Sequence, residues 1–205
     1  IRRPPRSTLF PYPTLFRSVR RHWPEAKIVL GGPYVQICTE HAQGLGADLF
    51  ATTENMEKIN AMMGIDGKYQ SPLWEIYDRP LNTGVMKITQ GCPCKCTYCS
   101  VPMMYPKFTA KSGDQWRADI DKLLECGTKN IAFYDDALLH KPELAFIPLL
   151  EHIIKTGAKV NLHSPNALHA RLIDIELAKL MVRAGFKTFY LGFESSSSDW
   201  QKRTG

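Results

Sequence analysis

The chain has 205 residues, 44% of them hydrophobic, and a formal net charge of +6 at neutral pH. That length allows one domain or one and a half, and the composition is that of a globular protein. No apolar run approaches the roughly 18–20 residues that a membrane span needs, and the basic start lacks the apolar core of a secretory signal. Arg2, Arg3, Arg6 and Arg17 supply four positive charges that no nearby acid offsets; six less these four leaves +2, and no basic stretch interleaved with aromatics points to nucleic acid. Six cysteines, four of them between Cys92 and Cys99, are too crowded for a disulfide framework. They read as free thiols or metal ligands, which implies a reducing, cytoplasmic compartment.

Ile1 to Ser18 holds four prolines and shows no helical or strand period. Thr8 to Ser18 (TLFPYPTLFRS) resembles the conceptual translation of a sequencing-adapter oligonucleotide, so residues 1–18 are read as a non-native leader; the alternative is a disordered, proline-rich basic segment. Residues 19–57 have α/β punctuation. Ala26 to Leu30 is an apolar run closed by Gly31-Gly32-Pro33, Tyr34 to Gly44 has a helical pattern, and Ala47 to Ala51 is a second strand. This order is similar to the last strands of a Rossmann-like, cobalamin-binding domain. Its upstream Asp-x-His-x-x-Gly motif is absent, and neither His22 nor His41 has that context. Residues 58–84 carry Gly64, Gly67, Pro72, Pro80 and Gly84 and read as a linker with one helical turn. Trp74, Ile76 and Tyr77 are expected to cover an apolar surface of the domain that follows.

From Val85 the pattern becomes strand, loop, helix, repeated. Strands are expected at 85–89, 130–134, 159–163 and 187–193. Ser112 and Gln115 are spaced for a capping box before a helix closed by Gly127. A second helix runs from Pro142 to Thr156, with Pro148 expected to kink or split it, and a third begins at an Asp174 cap and stops at Gly185. Strict alternation argues for parallel βα units with right-handed crossovers, whose working groups sit at the C-terminal strand ends. The polar residues fall there: the cysteines, Asp135-Asp136, His163 and Asn166, and Glu194-Ser195. Cys38 and Cys126 lie in helical contexts and read as buried small hydrophobes.

The first of these strands feeds Gly91-Cys92-Pro93-Cys94-Lys95-Cys96-Thr97-Tyr98-Cys99. Cys92, Cys96 and Cys99 form a C-x3-C-x2-C set, one thiolate short of the four that ligate an electron-transfer cluster. An iron left open can bind a cofactor or substrate. The loop resembles the cluster motif of the radical S-adenosylmethionine (radical SAM) enzymes, and the resemblance covers residues 85–205. It implies an α/β fold, a partial (βα)6 TIM-like barrel with four of six units present. It implies a [4Fe–4S] cluster on Cys92, Cys96 and Cys99, and reductive cleavage of S-adenosylmethionine to methionine and a 5′-deoxyadenosyl radical. Tyr98 occupies the aromatic position before the last cysteine. Asp135 and Asp136 stand where the family receives the cofactor's ammonium, with Tyr-Asp-Asp replacing the usual Gly-Gly-Glu. Glu194-Ser195 matches a segment near the ribose and carboxylate, and His163 and Asn166 are mouth-of-barrel positions. Cys94, in a variable position, is a packed or solvent-facing thiol.

The subgroup with an N-terminal cobalamin domain includes methyltransferases and ring-remodelling enzymes, so cobalamin is a further implied cofactor. A small-molecule substrate and a reductant such as flavodoxin or ferredoxin are the implied partners, with no nucleic acid and no membrane. Two other readings stay open: a zinc module using Cys92, Cys94, Cys96 and Cys99, and an iron–sulfur electron carrier. A chain that stops after the fourth strand is expected to be inactive and poorly soluble, because an unpaired sheet edge invites aggregation.

Overall fold

The computed structural model describes residues 12–65, 69, 71–77 and 80–204. The chain divides into two compact units, Ile1–Gly67 and Lys68–Gly205.

The first unit begins with helix α1 (Tyr12–His22), where the sequence reading saw no helical period. Phe16 and Val19 share one face of α1, and that face packs with Ile28, Leu30, Val35 and Ala42. The helix therefore starts inside the segment read as a leader, while residues 1–11 lie outside the described residues. Strand β1 (Val29–Gly31) pairs in parallel with a later strand. The expected helix 34–44 is two short ones, α2 (Pro33–Ile37) and α3 (Thr39–Gln43), broken where Cys38 leaves helical geometry. Cys38 is exposed there rather than buried. Strand β2 (Leu49–Ala51) completes the pair, with Val29 opposite Leu49. Both strands start later than their apolar runs, because Asp48 Oδ2 accepts from Ile28 N at 2.7 Å and occupies that amide. The Ile28 amide and then Arg20, 2.6 Å away, hold the Asp48 carboxyl below its usual range. Helix α4 (Met56–Met62) lies across the start of the predicted linker.

The second unit opens with a single 3-10 turn, Trp74–Ile76. Trp74 packs against the core, whereas Ile76 and Tyr77 are 70% and 58% exposed, contrary to expectation. Its elements then run β3 (Thr83–Met86), β4 (Thr89–Gln90), α5 (Val101–Met104), β5 (Thr109–Ala110), α6 (Gly113–Glu125) and β6 (Asn130–Phe133). They continue with α7 (Phe146–Thr156), β7 (Asn161–Leu168), α8 (Ile175–Ala184), β8 (Phe186–Leu191) and α9 (Ser198–Thr204). The main sheet has the order β3-β6-β7-β8 and every pair in it is parallel, as the alternation predicts.

Alternate strand residues build the core. Met86, Ile131, Phe133, Leu162 and Phe186 are buried with Trp116, Ile120 and Leu123 of α6, Phe146, Leu149, Leu150 and Ile153 of α7, and Leu177 and Met181 of α8. The rings of Phe133, Phe146 and Phe186 meet with centroids 5.8–6.0 Å apart. The caps follow the sequence reading. Ser112 and Gln115 make the reciprocal capping box, and Asp174 accepts from Leu177 N at 2.8 Å. Cys126 is the C-cap of α6 and is half-buried. Pro148 does not break its helix. It is the third residue of α7, where the backbone N–H has no intrahelical partner to lose, and the break falls at Ala145 instead. On β8, Phe189, Tyr190 and Leu191 are exposed, and β7 is its neighbour among the described strands.

Behind the core, Asp119 of α6 is 1% exposed. Its Oδ2 accepts from Lys111 Nζ at 2.6 Å and from Tyr69 Oη at 2.5 Å, while Oδ1 has no partner among the described residues. Burial, and then Asp119, push the Tyr69 hydroxyl well above its ordinary range. Lys111→Met would strand a buried carboxylate. The expected loss of stability is about 3–5 kcal/mol in urea unfolding, and Lys111→Met with Asp119→Leu should recover most of it.

Candidate functional site

The predicted site residues lie just beyond the C-terminal ends of β3, β6 and β8, and along β7. Strand β3 stops at Met86, three residues short of the predicted end at Thr89. The cause is Asp135, just beyond β6. Its Oδ1 accepts from Ile88 N at 3.0 Å, from Thr89 N at 2.5 Å and from Thr89 Oγ1 at 2.7 Å. Those amides therefore bind a side chain instead of continuing the ladder. Asp135 is 2% exposed, and its Oδ2 has no partner among the described residues. Burial pushes its carboxyl up to about 6, against the opposing pull of the Thr89 and Ile88 hydrogen bonds and the Lys87 charge.

Asp136 faces the other way along the same turn. Its Oδ2 accepts from Lys87 Nζ at 2.9 Å and from Gly91 N at 3.0 Å. Lys87 Nζ also sits 4.8 Å from the centroid of the Tyr105 ring. Strands β4 and β5 pair antiparallel, Thr89 opposite Ala110 and Gln90 opposite Thr109. The cysteine loop is thus an excursion of residues 91–108 closed at its base by a two-residue ladder, which the sequence reading missed. Two-residue strands carry no period to detect.

Gly91 begins the excursion at φ 83°. A Cβ there would lie 2.6 Å from the Lys107 carbonyl oxygen, so the two limbs of the loop pass too closely for any other residue. Within the loop, Cys99 N donates to Cys96 O at 3.0 Å, a turn that sets these two cysteines on one bend. Cys92, Cys94 and Cys96 are half-buried and Cys99 is exposed. Burial first, with Cys94 and Cys96 close by, pushes the Cys92 thiol up to about 11. Burial, and then Cys96, raise the Tyr98 hydroxyl, and Glu194 and Cys99 act on it in the same direction. Tyr98 therefore lies beside Cys96 and Cys99, with the Glu194 charge close enough to act on its hydroxyl.

Among the described residues, no three His, Cys, Asp or Glu side chains converge on a single-ion site. A four-iron cube takes each thiolate on a different iron, so its ligands need not converge on one point. The donor set here is thiols on one loop, two of them on one bend, which suits iron–sulfur ligation once the protons are displaced.

The remaining predicted residues are placed as follows. Asn166 Nδ2 donates to the backbone oxygen of Asp135 at 3.0 Å, and Ser164 Oγ donates to Asn166 O at 2.7 Å, so Asn166 stands beside Asp135. Ser195 is used locally: its Oγ accepts from Ser197 N at 3.1 Å, and its carbonyl accepts from Gln201 Nε2 at 2.5 Å. His163 is not at a strand end. Strand β7 continues to Leu168, and His163 lies opposite Ala132 and Thr188 inside the sheet. Its Nδ1 is 3.1 Å from Thr188 Oγ1 and its Nε2 is 3.3 Å from Asn130 Oδ1. The sequence reading ended this strand at His163, but the strand continues through Pro165. It runs on because the β7–β8 register shifts beyond Ser164, where an unpaired position tolerates proline. Lys87 is the site residue that sequence reasoning passed over; it was read only as part of a strand.

Comparison with known proteins agrees with this geometry. The model of the Radical SAM superfamily matches residues 86–205. The hopanoid C-2 methylase of Rhodopseudomonas palustris (strain TIE-1) is 28% identical over 118 residues, which are 55% of this chain and 22% of that protein. The bacteriochlorophyllide d C-12(1)-methyltransferase of Chlorobaculum tepidum is 34% identical over 119 residues, 54% of this chain and 24% of that protein. The chain therefore spans about a quarter of the length of these relatives. Two structures of the radical S-adenosylmethionine methyltransferase TsrM from Kitasatospora setae share the fold. Their TM-scores are 0.69 and 0.73 at 14% and 13% identity, and each covers 92% of this chain, 45% and 46% of TsrM. One has tryptophan substrate and a SAM analogue bound, the other cobalamin and a [4Fe–4S] cluster. A cysteine triad of this spacing, held at the C-terminal ends of a parallel sheet within the stretch that the family model matches, identifies the chain as a member of the radical SAM superfamily of enzymes, a membership that implies a [4Fe–4S] cluster and S-adenosylmethionine.

Proposed function

We propose that the parent protein is a radical SAM methyltransferase, and that this chain carries its cluster-binding and cofactor-binding part. The observation that carries this reading is the loop of Cys92, Cys96 and Cys99, tied at its base to Asp135 and Asp136. The three cysteines hold the cluster. When bound, the cluster supplies one electron that breaks a C–S bond of S-adenosylmethionine, giving methionine and a 5′-deoxyadenosyl radical. The chain's residues orient and shield that event. In this reading Tyr98, beside Cys96 and Cys99, would face the cofactor, and Asn166, Glu194 and Ser195 would line its site. Asp135 and Asp136 hold the loop from beneath, and His163 serves the sheet through its hydrogen bonds to Thr188 and Asn130.

Methyl transfer is supported by the names of two curated relatives, and a cobalamin partner by the TsrM structure that contains one. The parallel pair β1 and β2, with the glycine turn after β1, is consistent with the end of a Rossmann-like cobalamin domain. The four parallel strands of the second unit are consistent with four units of a (βα)6 barrel. A small-molecule substrate, a flavodoxin or ferredoxin reductant and a reducing cytoplasmic setting complete the reading. No helix among the described residues is long and apolar enough to cross a membrane.

Anaerobic reconstitution with iron and sulfide tests the proposal. The expected product is brown, contains close to four irons per chain, and gives a reduced-cluster electron paramagnetic resonance signal that shifts on adding S-adenosylmethionine. Replacing Cys92, Cys96 or Cys99 singly by alanine should abolish that signal, and Cys94→Ala should retain it. A colourless protein with one bound zinc, or a cluster indifferent to S-adenosylmethionine, would overturn the reading.

A further inference from the structure

The two carboxylates after β6 do different work, and the geometry points to Lys87 and Asp136 as a positioning pair that latches the cysteine loop. Asp136 Oδ2 takes both Lys87 Nζ and the Gly91 amide, so one oxygen joins the end of β3 to the first residue of the loop. Lys87 in turn lies over Tyr105, on the returning limb. Gly91 faces the Tyr105 and Lys107 carbonyl oxygens on that same limb. One ion pair therefore ties three points: the sheet, the outgoing limb beside Cys92, and the returning limb. The pair is well placed to be strong. The Asp136 side chain is only 13% exposed and that of Lys87 33%, so solvent screens it weakly.

This assigns Asp136 a role distinct from direct contact with a cofactor ammonium. The acceptor oxygen is already spent on a lysine and an amide. The pair acts before any cofactor arrives, by keeping the apo loop closed with its thiols in place. Without Lys87, the Gly91 amide has to compete for a carboxylate that can swing to solvent, and the loop opens more often.

The inference rests on the proposed role of the loop, and its test has an arm that does not depend on a cluster. Under anaerobic conditions the metal-free protein is treated with iodoacetamide, and alkylation of each cysteine is followed by peptide mass spectrometry. In Lys87→Met, alkylation of Cys92 and Cys96 should be about tenfold faster than in the wild type, with Cys38 and Cys126 unchanged as internal references. Lys87→Arg should restore the wild-type rate. Asp136→Ala should reproduce Lys87→Met, and the double variant should be no faster than either single one. The second arm reads iron and sulfide content after reconstitution, which should fall in Lys87→Met and recover in Lys87→Arg. Equal alkylation rates in Lys87→Met and wild type, or additive effects in the double variant, would overturn the latch. If Lys87→Met leaves alkylation untouched while Asp136→Ala alone weakens S-adenosylmethionine binding, Asp136 is a cofactor contact. A wild-type protein that takes up no iron would sink the cluster reading, and the alkylation arm would still decide the latch.

Discussion

Asp135→Ala is expected to lower the unfolding free energy by about 3–5 kcal/mol, measured by urea denaturation at neutral pH. The alanine leaves the Ile88 amide, the Thr89 amide and the Thr89 hydroxyl without their common acceptor in a place where water does not reach, since Ile88 is 0% and Thr89 5% exposed. Asp135→Asn is the informative partner. Its amide oxygen can still receive those donors, so the cost should be about 1 kcal/mol. The two variants also separate in pH dependence. Burial raises the Asp135 carboxyl from 3.8 to about 6. The folded protein therefore holds this proton where the unfolded chain has lost it. The contribution is fully present below the unfolded value and is lost as pH rises through about 6. That window should cost the wild type about 3 kcal/mol relative to Asp135→Asn, whose stability should be flatter there. Parallel curves for the two proteins between pH 4 and pH 7 would show that Asp135 is not buried as a carboxyl.

Gly91→Ala should damage the loop more than its size suggests. A β-carbon at φ 83° is strained in itself, by about 1 kcal/mol. It would also stand 2.6 Å from the Lys107 carbonyl oxygen, which belongs to backbone and has no rotamer to yield. Relief requires the two limbs to part, and parting them removes the Gly91 amide from Asp136. We expect a total cost of about 2–4 kcal/mol, confined to the loop. It should appear as faster proteolysis between residues 91 and 108 and a sharp fall in iron retained after reconstitution. Global unfolding should shift less, because the core of Phe133, Phe146 and Leu162 is not touched. Undiminished iron retention in Gly91→Ala would show that the limbs are not held at this distance.

Much of the second unit was legible because its signals are local. The capping box of Ser112 and Gln115 and the Asp174 cap join residues three apart, and the left-handed glycines at 127, 157 and 185 each close a helix within one turn. Alternation of strand and helix predicted an all-parallel sheet because successive βα units pack with one hand. The failures share a different character. β7 was cut short at His163, yet it runs on through Pro165, where the irregular β7–β8 register leaves room for a proline. α1 was missed because prolines mask the Phe16 and Val19 face. The hairpin of β4 and β5 was invisible because each strand has only two residues, joined across a long loop.

The functional site divides along the same line. The sequence by itself determined the family resemblance, because residue type and spacing are covalent properties: Cys92, Cys96 and Cys99 keep their C-x3-C-x2-C spacing whatever the fold does. It also determined that acids would stand at the end of β6. Only the tertiary structure decided what those acids do. Asp135 turns inward to amides 46 and 47 residues away, and Asp136 joins Lys87 across 49 residues. Whether a carboxylate meets an amide, a lysine or solvent depends on desolvation and on partners distant in sequence, and those exist only once β3 and β6 have paired.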